Sequence, residues 1–111
     1  MRTKSVDISR FTDEETSYND PVVLKKLSGG DISDITDYLI QKGGARLTDT
    51  GGLENLPIGT MRMMYLQKCI LDAGFDHSLN GIRNLPNDLF QFLFAEAEKL
   101  NNPLGETKEE E

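Results

Sequence analysis

The chain has 111 residues, with 12 Lys+Arg against 19 Asp+Glu and a net charge of −7. That balance excludes a broad phosphate-neutralising surface for nucleic acid, and it argues equally against docking on an anionic membrane. One Cys and one His exclude a Cys/His zinc site or a disulfide within one chain, so no metal or other cofactor is expected and a reducing compartment, the cytoplasm, is the simpler setting. No apolar run reaches the roughly 18–20 residues of a membrane helix, and the opening MRTKSVDISR lacks the apolar stretch of a signal peptide.

Residues 1–20 carry three basic and five acidic groups and few apolar anchors (Val6, Ile8, Phe11), which predicts a mobile N-terminal segment. Asp20-Pro21 is a helix-start signal, and Val22–Leu27 follows as a short helix. Its two adjacent Val residues make a strand nearly as good a reading. Ser28-Gly-Gly-Asp31 has the form of a capping box, with Asp in place of the more usual Glu. Ile32, Ile35, Leu39 and Ile40 then recur at helical spacing, and Gly43-Gly44 supplies a stop, so a helix is predicted over 29–42.

Residues 43–59 hold five Gly and one Pro and read as a long loop. Thr60 is placed to cap a third helix through Met61, Met64, Tyr65, Lys68 and Leu71, with Gly74 as its stop. Residues 75–85 are polar with single apolar anchors. Pro86 opens a last helix that runs to Leu100 and ends at Asn101-Asn102-Pro103. The chain therefore reads as all-α, a small bundle of about four helices spanning 21–103, with a long glycine-rich loop and mobile polar termini. Residues 104–111 form an acidic tail, expected to be disordered. Five of the seven net negative charges sit in the two ends, and residues 21–105 are near neutral, at −2.

No catalytic constellation emerges, and no enzyme is expected. Asp49-Thr50-Gly51 matches the aspartic-protease triplet, but it lies in a glycine-rich loop of a helical chain and reads as a turn. Asp31, Asp34 and Asp37 are spaced along a capped helix, unlike the alternating ligands of a calcium loop. His77 has only Asp76 beside it in sequence. Cys69 lies within an apolar helix, where a thiol behaves as a small hydrophobe. The feature that stands out is apolar excess. Leu89, Leu93, Ala97 and Leu100 form one stripe of the last helix, which Phe90 and Phe94 widen on one side and Phe92 on the other. The methionines Met61, Met63 and Met64 likewise face more than one direction. Met61, Met64, Phe90, Phe92 and Phe94 are therefore the candidate partner-binding residues, for a protein partner or for self-association.

Two stretches, LKKLSGGDISDITDYL (24–39) and GIRNLPNDLFQFLFAEAEKLN (81–101), flank the apolar helix MRMMYLQKCIL. This arrangement resembles the small acidic tail assembly chaperones of long-tailed bacteriophages. The resemblance implies a non-enzymatic protein of the host cytoplasm that binds the tape measure protein, keeps it soluble and helps recruit tail tube protein around it. The pattern departs from the family in one respect, since no pair of strands is legible ahead of Leu24. The competing expectations are a structural phage component, such as a head–tail connector or scaffold subunit, and an acidic helical regulatory protein.

Overall fold

The computed structural model describes residues 3–50 and 52–101; the acidic tail expected at 104–111 lies outside the described residues. In chain order the elements are β1 (Thr3–Val6), a 3-10 turn (Ser9–Phe11), β2 (Val22–Lys25), α1 (Gly29–Gln41), β3 (Arg46–Leu47), β4 (Leu53–Glu54), α2 (Ile58–Cys69), β5 (Ile70–Asp72), α3 (Leu79–Arg83) and α4 (Asn87–Asn101). The fold mixes α and β, which corrects the all-α expectation. Strands β1, β2 and β5 form an antiparallel sheet in the order β1-β2-β5.

Of the two readings open for Val22–Leu27, the strand is the one realised. Val22, Val23 and Leu24 pair with β1 on one side, in a register running from Thr3↔Lys25 to Val6↔Val22. On the other side Leu24 pairs with Ile70 and Val23 with Asp72, across a bulge between Val23 and Leu24. The side chains alternate as a pleat requires, Val22 and Leu24 being wholly buried and Val23 and Lys25 only partly. Two β-branched residues in a row favour this state once a ladder is offered on both edges. The same ladder ends α2 at Cys69, short of Leu71, because Ile70 turns extended (φ −82°, ψ 114°) to meet β2. At its other end α2 begins at Ile58, with Pro57 in the cap position and no side-chain cap bond, three residues before the expected cap Thr60.

The N-terminal segment belongs to the core. Val6, Ile8 and Tyr18 are buried together with Val22, Leu24, Leu66, Cys69, Ile70, Ile82 and the α4 stripe Leu89, Leu93, Ala97 and Leu100. Residues 3–20, expected to be mobile, are thus an edge strand and a 3-10 turn packed on the domain. A second, smaller cluster joins Ile35, Leu39, Ala45 and Met64. Helix α2 stands between the two clusters, presenting Met64 to the smaller and Leu66 and Cys69 to the larger. The expected loop 43–59 contains the hairpin β3–β4, closed by the Arg46↔Glu54 and Leu47↔Leu53 pairs.

Local chemistry explains α1 closely. Ser28 Oγ accepts from the Asp31 N–H at 3.1 Å and Asp31 Oδ2 accepts from the Ser28 N–H at 3.0 Å, a reciprocal capping box. Lys25 Nζ donates to the same Oδ2 at 2.6 Å. At the far end Gly44 takes a left-handed φ of 83°, which turns the chain so that the Ala45 N–H reaches the Leu39 carbonyl at 2.9 Å. The Lys25 ammonium, then the Ser28 N–H, hold the Asp31 carboxyl down to about 2. A carboxyl whose folded-state pKa is depressed stabilises the fold above its ordinary range, and that stabilisation is lost as pH falls towards 2. Asp31→Ala is therefore expected to cost about 1 kcal/mol near neutral pH. The gap between the urea midpoints of variant and parent should narrow as pH drops from 4 towards 2.

Candidate functional site

The described residues bring no three of His, Cys, Asp and Glu together in a way that would hold a metal ion. No helix among them is long and apolar enough to cross a membrane. Asp31 is engaged in the α1 cap, and Asp34 lies 3.5 Å from Lys68. Asp49 and Thr50 sit in the loop that closes the β3–β4 hairpin. Cys69 is fully buried, and burial pushes its thiol up to about 11, far from a reactive thiolate. Asn101 Nδ2 donates to its Sγ at 3.5 Å.

The aromatic excess is divided by the fold. Helices α2 and α4 pack side by side, and between them Phe90 and Phe94 stack with ring centres 6.0 Å apart. Tyr65 from α2 meets Phe94 edge-on at 5.4 Å. Over these rings lies Arg62, its guanidinium carbon 4.6 Å from the centre of Phe94 and 5.8 Å from that of Phe90. Arg62 also donates to Gln91 Oε1 at 2.7 Å, which fixes the guanidinium in place over the stack. Burial pushes the Tyr65 hydroxyl up to about 12, so it stays neutral through the physiological range.

Beside this stack opens a cavity of about 350 Å³ lined by Gly59, Arg62, Met63, Ile82, Arg83, Leu85, Asn87 and Phe90. Its floor is apolar and its polar groups are two arginines and an amide. Ile58, at the start of α2 next to Gly59, is 53% exposed. The short helix α3 exists to hold Ile82 and Arg83 here. Ser78 caps it by accepting from the Gly81 N–H at 3.3 Å, and a Cβ at Gly81 would overlap the Asp76 carbonyl, so only glycine fits that turn. A smaller crevice of about 210 Å³ lies among Ile8, Ser17, Tyr18, Asn19, Asp20, Gly74 and Phe75.

The five residues expected to bind a partner fall in three places. Met64 is buried in the smaller cluster and Met61 packs against it, so these two serve the inside of the fold, while Met63 lines the cavity. Phe92 lies on the other flank of α4, 5.4 Å from Phe11 and beneath the Arg10 guanidinium at 4.2 Å. The N-terminal segment therefore covers part of its ring. Phe90 and Phe94 remain together, half-buried, on the α2–α4 surface. Arg62, Tyr65, Arg83 and Leu85 complete that surface and were not singled out from sequence as partner contacts. The available signal was the three-residue spacing of Arg62 and Tyr65, which matches one face of the helix that meets Phe90 and Phe94.

No family model, curated protein or solved structure matches this chain.

Proposed function

We propose that this chain is a non-enzymatic tail assembly chaperone that holds a helical segment of a tape measure protein on its α2–α4 face and assists the assembly of tail tube protein around it. The observation that carries the reading is the half-buried Phe90–Phe94–Tyr65 stack beside an open, mostly apolar cavity. Apolar grooves between helices take amphipathic helices by inserting anchors at successive turns. Of the strand pair that the sequence pattern lacked ahead of Leu24, β1 (Thr3–Val6) lies ahead of it, while its partner β2 (Val22–Lys25) contains Leu24 itself.

The test is co-expression with the longest coiled-coil-rich protein encoded by the neighbouring genes. The parent chain is expected to recover that protein in soluble form and to co-purify with it. Phe94→Asp should reduce the recovered complex by at least about tenfold, since a carboxylate desolvated against apolar surface costs several kcal/mol, while its circular dichroism stays that of the parent. Equal recovery with the parent chain, with the variant and with neither would sink the reading. Sedimentation of the pure chain as a ring would point instead to a connector or scaffold subunit.

A further inference from the structure

The cavity beside the aromatic stack has a charge character opposite to that of the chain. Acidic residues outnumber basic ones by 19 to 12 in the sequence. Yet the lining of this cavity includes Arg62 and Arg83 and no carboxylate. Among the described residues ion pairs within 4.0 Å engage Lys4, Lys25, Arg46 and Lys68, and Arg62 and Arg83, like Arg10, Lys26, Lys42 and Lys99, have none; what sets the two arginines apart is that they share one cavity. Arg62 is held by the rings of Phe90 and Phe94 and by Gln91, with no acidic partner among the described residues. Asp88, the nearest acid in sequence on α4, has Oδ1 accepting from the Leu89 N–H and is not part of the lining. An arginine held over aromatic rings and hydrogen-bonded at one nitrogen is preorganised for carboxylate, because little side-chain freedom is lost when the fork engages.

Resting on the reading of the α2–α4 face as a helix-binding surface, we infer that its occupant is an acidic amphipathic helix. One large apolar side chain of that helix enters the cavity, and glutamates or aspartates on its flank engage Arg62 and Arg83. A net charge of −7 over the chain does not forbid this, since exposed charges farther apart than a Debye length of about 8 Å are largely screened at physiological salt. Gly59 offers a means of closing the site without disturbing it. A Cβ there meets nothing within 4 Å, and the position lies in the first turn of α2, where a larger side chain also favours the helix.

The experiment titrates the full chain into three fluorescein-labelled helical peptides of roughly 20 residues, long enough to hold a helix. All share one leucine stripe and differ only in carrying Glu, Gln or Lys on its flanks. The Glu peptide is expected to bind about tenfold tighter than the Gln peptide and the Lys peptide to bind weakest, with the preference falling as salt is raised. Arg83→Gln, which leaves the aromatic stack untouched, should lower the Glu-over-Gln ratio by about threefold or more, and Gly59→Leu should weaken all three peptides. Glu and Gln peptides that bind alike, or a ratio unchanged in Arg83→Gln, overturn the inference. If those equal affinities are both lost in Gly59→Leu, the helix-binding reading stands without its charge preference. If no peptide binds, the inference falls, and the chaperone reading is then judged by the co-expression result alone.

Discussion

Replacing Ile8 by Ala is expected to lower the stability of the domain by about 2–5 kcal/mol, the range for truncating a fully buried aliphatic side chain. Ile8 is 1% exposed and belongs to the larger core cluster with Val6, Val22, Leu24 and Leu89. Its carbonyl accepts from the Phe11 N–H at 3.0 Å, so the residue also starts the turn that lays Phe11 on Phe92. Against a total stability typically of about 5–15 kcal/mol, such a loss is large. The measurement is equilibrium unfolding in urea, with Glu14→Ala, at an exposed position, as the control that should stay within about 0.5 kcal/mol of the parent. A segment merely tethered to the domain would give both variants the same small effect. An Ile8→Ala midpoint equal to that of Glu14→Ala would therefore remove the N-terminal residues from the cooperative unit.

The second large effect is expected at Asn101, where one side chain ties three parts of the fold together. Asn101 Oδ1 accepts from the Leu27 N–H at 2.8 Å, and Nδ2 donates to the Ala97 carbonyl at 2.8 Å and to Cys69 Sγ at 3.5 Å. These bonds join the end of α4 to the β2–α1 connection and to the last residue of α2. Asn101→Ala leaves the part-buried Leu27 N–H without that partner and should cost about 1–3 kcal/mol. Asn101→Asp keeps an acceptor for Leu27 but loses the donor to Ala97 and Cys69. It also places a negative charge at the negative end of the α4 dipole, so it too should be less stable than the parent. Amide hydrogen exchange separates this account from a general loosening. In Asn101→Ala the Leu27 amide should exchange faster by more than the average of the α4 amides, and an unchanged Leu27 amide would contradict the proposed tie.

How much of the site was legible depends on which forces placed each residue. Phe90 and Phe94 could be found because they lie four apart on a helix, along one edge of its aliphatic stripe. Phe92 looks equivalent in sequence, and only the packing of Phe11 and Arg10 over it distinguishes it. Met61 and Met64 gave the same signal as a binding surface, apolar side chains in several directions, for a different reason: α2 is buried on two sides, between two clusters. Arg83 and Leu85 come from a stretch too short and too polar to show a period, and Ile82 is its one fully buried residue.

The sequence by itself determined what local chemistry decides. The capping box at Ser28 and Asp31, the helical stripe after it and the left-handed turn at Gly44 place α1 at Gly29–Gln41. Pro86 and the aliphatic stripe place α4, and the four members of that stripe are all buried. The tertiary structure alone decided where strands form. Val22-Val23-Leu24 is a strand because Thr3–Val6 and Ile70–Asp72 arrive on its two edges, and neither partner is near it along the chain. The same long-range pairing stopped α2 at Cys69 and drew the N-terminal segment into the core. The opening charge balance was likewise a property of the whole chain, while the pairing of Arg62 with Arg83 around one cavity exists only once α2 and α3 are side by side.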